Sequence, residues 1–476
     1  MKGKLDIKTL KGITADSRQV QRGYLFGAFP GSKVDGRDYI EAAVHNGASA
    51  ILAPYGTVLP DLFSGSDVLL IESDNPRRDF AKLAAEYFGP QPECIVAVTG
   101  TNGKTSCAHF VNQLWQARGL KSASVGTLGV SLETAKREGS MTTPDPVSLH
   151  GTLADMAAVG VTHMVMEASS HGLDQYRLDG VKIRAAGFTN LSRDHLDYHP
   201  DMESYFKAKS RLFSELLLDG GTAVLNADIE EFAALSEIVT ARGLDFISYG
   251  FKGEQIKVLE VTPKPSGQIV KAEVFGDVHE ISLKLAGGFQ AMNVMCSLGL
   301  VLAEDPQHKD EYIAALSNLQ GAPGRLELIE GHPKGAAIYV DYAHTPDALE
   351  TVLKSLRPHT KRRLVCVFGC GGNRDSGKRP VMGRIATDLA DHVIVTDDNP
   401  RTEKAELIRQ DILNGAQGAQ EIAGRAEAIE RAVAELQEGD VLLIAGKGHE
   451  QGQIFADHTE PFDDREEAKK AIEELG

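Results

Sequence analysis

Lys104 and Thr105 close the run Thr99-Gly100-Thr101-Asn102-Gly103-Lys104-Thr105-Ser106. Glycines in such a loop let backbone N–H groups gather around phosphate oxygens. The lysine adds a point charge for the β- and γ-phosphates, and the threonine hydroxyl suits Mg²⁺. The chemistry expected is nucleoside triphosphate binding. The usual pattern has a glycine five residues before the Gly-Lys pair, where this chain has Val98, so a structural turn is the competing reading.

Further polar clusters could share in that chemistry. Glu167-Ala168-Ser169-Ser170-His171-Gly172 is one, and Asp194, His195, Asp197 and His199 form another. Carboxylate and imidazole both bind metals, but this spacing fits no closed zinc motif. Mg²⁺ needs few protein ligands beside substrate phosphates, so Glu167 and His195 would suffice; a solvated loop is the alternative. Lys207-Ala208-Lys209 reads on its face as charged helix surface, and Asn293 meets a base edge, caps a helix or faces solvent. Three more loops, Gly371-Gly372-Asn373-Arg374, Asp397-Asp398-Asn399-Pro400-Arg401 and Gly446-Lys447-Gly448-His449-Glu450, each follow an apolar run.

The elements that must position these residues are legible. Cys94–Val98 is an apolar run that reads as a buried strand, and Ala108, Phe110, Val111, Leu114 and Trp115 recur at helical spacing up to Gly119. Val161–Met166, Ala185–Asn190, Leu364–Phe368, Val393–Thr396 and Val441–Ala445 read as further strands, each delivering polar residues at its end. Strands alternating with helices predict an α/β fold with mostly parallel sheets, whose ligands collect at the carboxyl ends of strands. Gly89-Pro90-Gln91-Pro92 and Gly321-Ala322-Pro323-Gly324 read as linkers. Three domains are therefore expected: a small α/β unit over 1–89, a central phosphate-loop unit over 90–322 and a Rossmann-like unit over 323–476.

Composition is that of a globular protein, 42% hydrophobic and 25% charged over 476 residues. The net charge of −17 argues against a nucleic-acid-binding surface, so anionic substrates would need local basic clusters. No apolar run is long enough to span a bilayer, and no signal-peptide core follows the N-terminus. The five cysteines form no CxxC pair, which predicts reduced, mostly buried thiols and a cytoplasmic location.

Together, Thr99–Thr105, Glu167–Gly172, Asn190-Leu191-Ser192-Arg193-Asp194-His195-Leu196-Asp197, Asp341-Tyr342-Ala343-His344-Thr345-Pro346-Asp347, Gly369–Gly372 and Asp398–Arg401 resemble the Mur ligases along the whole chain. These are ATP-dependent enzymes that build the peptide of bacterial peptidoglycan. The resemblance implies that a substrate carboxylate attacks the ATP γ-phosphate, and that an incoming amine then displaces phosphate from the acyl phosphate. Gly100, Thr101, Asn102, Gly103, Lys104, Thr105 and Ser106 would hold the ATP phosphates, with Asn293, Arg325, Asp341 and His344 as further ATP contacts. Thr105, Glu167, His195 and a carbamylated Lys209 would bind Mg²⁺, and Lys104, Glu167, His195 and Lys209 would carry the chemistry.

The resemblance further implies a UDP-N-acetylmuramoyl-dipeptide substrate gripped by Ser17, Ser32, Lys33, Val34, Thr142, Thr143, Ser169, Gln175 and Arg177. Met141 and Gln290 stand where the family often has asparagine. Asp398-Asn399-Pro400-Arg401, with Arg374, Gly446 and Glu450, implies meso-diaminopimelate as the amine, because Arg401 could bind its distal carboxylate bidentately and lysine has none. A monomer without nucleic acid or membrane insertion is expected. A lysine-adding ligase, a folylpolyglutamate synthase and a non-catalytic nucleotide-binding scaffold are the alternatives.

Overall fold

The computed structural model describes residues 5–31, 34–60, 67–132, 135–137 and 141–475. By compactness the chain divides into two units, Met1–Ser248 with Gly299–His308, and Tyr249–Leu298 with Lys309–Gly476. The division falls inside the segment expected as the central domain. The reason is an antiparallel meander, Ile256–Lys264, Gly267–Val274 and Asp277–Leu283, which alternation in the sequence did not reveal. Its turns are tied to the C-terminal part of the chain: His359 Nδ1 pairs with the Lys264 carbonyl at 2.7 Å, and the Tyr339 hydroxyl donates to the Pro265 carbonyl at 3.0 Å.

The first unit holds two sheets. The N-terminal one is four-stranded and parallel, Gly12–Thr14, Tyr24–Gly27, Ala50–Pro54 and Leu69–Ser73 in that order. The other has a parallel centre in the order Ser122–Gly126, His163–Glu167, Cys94–Thr99, Ile183–Phe188, Leu217–Asn226. These strands are covered on both faces, which is why they read as apolar runs rather than alternating ones. Ile95, Ala97, Met164, Met166, Ile183 and Phe188 form their common core. Register then fixes the chemistry: Val98 pairs with Glu167, Thr99 with Phe188 and Val125 with Met166, so four strand ends finish level.

The second unit is built on a six-stranded sheet ordered Glu327–Ile329, Ala337–Asp341, Val441–Ala445, Leu364–Phe368, His392–Val395, Gln420–Glu421, parallel except for the first strand. The strand latest in sequence, Val441–Ala445, sits at the centre, with Ala445 level with both Asp341 and Phe368. That order gathers the loops after 341, 368, 395 and 445 on one side. Behind them Arg425 and Asp464 form a fully buried bidentate pair, both contacts 2.7 Å, and Arg425 also donates to the Ala445 carbonyl at 3.0 Å. Arg425→Met is expected to cost about 3–5 kcal/mol, because Asp464 stays buried without a counter-charge. Urea midpoints at constant m check this. Recovery of most of the loss in Arg425→Met/Asp464→Leu is the expected control; an equal loss there would show that packing, not charge, decides.

All five cysteines are free and buried, as expected from their spacing. Among the described residues, no helix is long and apolar enough to cross a membrane.

Candidate active site

The phosphate loop leaves the strand Cys94–Thr99 and enters the helix Lys104–Ala117 through Gly103, whose φ of 88° places it in the left-handed region that a side chain resists. Lys104 curls back over the loop, donating to the carbonyls of Gly100 at 2.9 Å and Thr101 at 2.8 Å. Asn190, at the end of the neighbouring strand, accepts from the Asn102 N–H at 3.0 Å and braces the turn. Lys104 and the loop amides lie at a helix N-terminus, a favourable place for an anion.

Glu167 completes this corner. Its register opposite Val98 brings the carboxylate to the helix start, where the Thr105 hydroxyl donates to it at 2.9 Å. Thr127 donates twice more, through its N–H at 2.8 Å and its hydroxyl at 3.1 Å. Burial pushes the Glu167 carboxyl above its ordinary value, while the charge on Lys104 and these donors pull it back. The approach is so close that a Cβ on Gly126 would meet Glu167 Oε1 at 2.0 Å. Gly126→Ala is expected to displace the carboxylate and lower the turnover of ADP formation roughly 100-fold, the scale of a 1 Å misplacement in a reacting site. Unchanged turnover would show that Glu167 need not sit there.

Lys209 departs most from its bare-sequence reading as surface. It lies on the helix Met202–Arg211, one turn after Tyr205, and is 1% exposed. Its amine donates to the Gly100 carbonyl at 2.8 Å, the same oxygen that Lys104 uses, and rests 4.5 Å above the Tyr205 ring. Burial first, and then the charge on Lys104, push the amine down to about 6. Burial thus favours the uncharged form of this amine.

His195 sits on the loop before that helix with φ 54°, half-exposed, its ring edge-on to His171 at 4.9 Å. His171 packs in turn against Tyr198 at 4.1 Å, and His199 against Tyr205 at 5.1 Å. Among the described residues, no group of three or more His, Cys, Asp or Glu side chains converges as a metal cage. The hard oxygen donors present are the Thr105 hydroxyl and the Glu167 carboxylate, which suit Mg²⁺ sharing its shell with phosphates.

Of the residues expected to grip the UDP-linked substrate, several form one network beside Glu167. Thr143 donates to the Glu167 carbonyl at 2.8 Å and accepts from Ser169 N–H at 2.9 Å, while Thr142 meets Thr127 at 3.1 Å. Arg177 donates to the Thr143 carbonyl at 2.7 Å and to Gln175 at 2.8 Å, and reaches the Met141 sulfur at 3.4 Å. Ser17 opens a short turn capped by Asp16, and Val34 is exposed on a loop of the N-terminal sheet. Ser32 and Lys33 lie outside the described residues.

In the second unit, Asn293 is buried and donates to Gln290 at 2.9 Å, so the glutamine serves as its hydrogen-bond partner. Gln290 in turn donates to the Arg325 carbonyl at 3.4 Å. The Arg325 guanidinium lies 4.8 Å over the Tyr342 ring, and the buried Asp341 accepts from the amides of Leu326 and Ala343. His344 is exposed beside Tyr342.

The loops gathered by the six-stranded sheet enclose a cavity of about 690 Å³. Arg374, Arg401, Asp398, Asn399, Gly446 and Glu450 all line it. Arg401 adopts φ 52° and is pinned by its N–H to the Ile454 carbonyl at 3.0 Å and by its guanidinium to the Gly372 carbonyl at 2.8 Å. Pro400 closes the turn by accepting from the Glu403 N–H at 3.1 Å. The cavity thus presents guanidinium and carboxylate groups together, complementary to a ligand carrying both signs of charge.

Sequence reasoning missed Thr127, Tyr205 and Lys447. Tyr205 and Lys209 are four residues apart and share the helix face that carries Ala208, a spacing that marks Lys209 as buried. Thr127 follows a strand end with no motif to announce it.

Family comparisons match residues 9–82 to "Mur ligase family, catalytic domain", 98–301 to "Mur ligase middle domain" and 324–448 to "Mur ligase, glutamate ligase domain". Relatives named UDP-N-acetylmuramoyl-L-alanyl-D-glutamate–2,6-diaminopimelate ligase include those of Caulobacter vibrioides and Rhizobium meliloti. The first is 50% identical, covering 98% of this chain and 96% of its own; the second is 50% identical, covering 99% and 96%. A solved structure of an enzyme of that name aligns with TM-score 0.75 at 34% identity over 98% of this chain and 95% of its own. A folylpolyglutamate synthase of Mycobacterium tuberculosis, at 19% identity and TM-score 0.59 over 78% of this chain and 91% of its own, shares the fold alone. On these matches the chain belongs to the Mur ligase family of ATP-dependent ligases.

Proposed function

We propose that this ligase joins meso-2,6-diaminopimelate to the D-glutamate carboxylate of UDP-N-acetylmuramoyl-L-alanyl-D-glutamate, forming ADP and phosphate. The observation that carries the choice of amine is the cavity of the second unit, where Arg374 and Arg401 stand with Glu450. Diaminopimelate has an ammonium and a carboxylate at each end. Arg401 and Arg374 meet the distal carboxylate, and Glu450 meets the ammonium beside it. A lysine has no distal carboxylate to offer Arg401 and Arg374, so it forfeits those charge-assisted contacts. Relatives that bear the diaminopimelate ligase name at half identity support the same reading.

Lys104 and the amides of Gly100 to Ser106 hold the ATP phosphates, and Asn293, Arg325, Asp341 and His344 are proposed as further nucleotide contacts on the strength of the family motifs that carry them. Thr105, Glu167, His195 and Lys209 are the residues that would hold Mg²⁺, which when bound neutralises phosphate charge as the carboxylate attacks. Lys209 enters as a carbamate: its neutral amine forms an N–C bond to CO₂ and releases a proton, turning an uncharged amine into a carboxylate. Its burial and low proton affinity support that conversion. Thr142, Thr143, Ser169, Gln175 and Arg177, with Ser17, Ser32, Lys33 and Val34, position the UDP-linked acid. Catalysis is then positioning and charge neutralisation.

The experiment is ADP formation with UDP-N-acetylmuramoyl-L-alanyl-D-glutamate, Mg-ATP and either meso-diaminopimelate or L-lysine. Turnover with diaminopimelate and not lysine is expected. Turnover with lysine instead overturns the role given to Arg401, and absence of turnover with both overturns the substrate assignment.

A further inference from the structure

The cavity of the second unit is backed by a lysine that faces no solvent. Lys447 follows the central strand Val441–Ala445, and its side chain is 0% exposed. Its amine donates to Asn399 Oδ1 at 2.7 Å and lies 3.6 Å from Glu450 Oε2. The same Asn399 oxygen accepts the Ile454 N–H at 3.0 Å. With two donors on its oxygen, the Asn399 amide has one orientation open to it, and its Nδ2 donates to Glu450 Oε2 at 2.9 Å. The segment carrying Ile454 is itself tied to this loop, since Gln453 donates to the Asp398 carbonyl at 2.7 Å.

The geometry points to Lys447 as a positioning residue for amine selection. It acts on Glu450 by two routes, through the orientation of the Asn399 amide and through its own charge. Both routes end on one oxygen, so the other oxygen of Glu450 is left to receive a ligand ammonium. A buried ammonium facing a carboxamide oxygen and a carboxylate is balanced only with both partners in place. Lys447 therefore ties the loop that carries Asn399 and Arg401 to the residue that reads the opposite charge. This rests on the reading of the cavity as the amine site.

The test compares Lys447→Met, which keeps most of the volume but removes charge and donor, with Lys447→Gln, which keeps a donor for Asn399. Steady-state constants are measured for diaminopimelate, ATP and the UDP-linked acid, alongside thermal unfolding of each variant. Lys447→Met is expected to raise KM for the amine about 10- to 100-fold, with KM for ATP and for the acid within twofold of wild type, the scale of one or two lost charge-assisted contacts. Lys447→Gln is expected to fall between the two. Arg374→Ala and Glu450→Gln are run beside them. If both of these raise the amine KM while folded Lys447→Met does not, the positioning role is overturned and the amine site stands. If neither moves the amine KM, the amine site itself is wrong, and the inference falls with it. If Lys447→Met does not fold, the Gln variant carries the decision: an unchanged amine KM overturns the role, and a raised one with unchanged ATP KM supports it.

Discussion

Lys209→Met is expected to lower ligation turnover by about 10²- to 10³-fold while making the protein more stable. Both effects have one cause. The amine is held in a buried site against the Tyr205 ring and the Gly100 carbonyl, with Lys104 sharing that oxygen, and its proton affinity falls to about 6. In the unfolded chain the same amine titrates near its ordinary value of 10.5. Between those two values the unfolded state holds a proton that the folded state lacks, so stability rises with pH across that window. At pH 7 the native state carries the cost of that neutralisation, on the order of 5 kcal/mol. Methionine fills similar volume without it. In protein purged of CO₂, thermal unfolding from pH 6 to 9 is therefore expected to show the variant more stable and its pH slope flatter.

The loss of activity has a different magnitude and test. A carboxylate built on Lys209 beside the phosphate loop acts where charge develops, and removing one such group costs about 10²- to 10³-fold in turnover. Wild-type activity should fall on removing CO₂ and return with bicarbonate, while the methionine variant responds to neither. A variant that retains wild-type turnover would falsify the carbamate role. A variant that loses turnover without gaining stability would instead contradict the buried neutral amine.

Arg401→Ala is expected to lower kcat/KM for diaminopimelate by roughly 10²- to 10³-fold, about 3–4 kcal/mol, leaving KM for ATP unchanged. The residue occupies the left-handed region at φ 52°, and its backbone N–H is bonded to Ile454. Alanine meets the same backbone cost as arginine there, so the variant reports on the side chain. What is lost is the guanidinium that lines the cavity and donates to the Gly372 carbonyl. Arg401→Lys should recover only part of the loss, because a single ammonium cannot reproduce two parallel N–H···O contacts. Competition between diaminopimelate and lysine measures the selectivity directly. Equal discrimination in wild type and Arg401→Ala would move the specificity elsewhere in the cavity.

The amino-acid sequence by itself determined the main buried parallel strands and the order of the motifs along them, though not the antiparallel meander over 256–283. Apolar runs marked the parallel strands because both faces of each are buried, and the glycine loop with Lys104 and Thr105 marked its function because backbone must approach phosphate closely. The loop Asp398-Asn399-Pro400-Arg401 and its partners at 374, 446 and 450 were legible one by one. Tertiary structure decided what sits beside what. Glu167 meets Thr105 only through the pairing of Val98 with Glu167, and the cavity exists only because the late strand Val441–Ala445 inserts between earlier ones. Lys209 and Lys447 are the sharpest cases. Lys209 looks in sequence like a solvated cation and Lys447 is one residue of a polar loop, yet each is buried. The proton affinity of an amine depends on the solvent and charges around it, and those surroundings are assembled from distant parts of the chain.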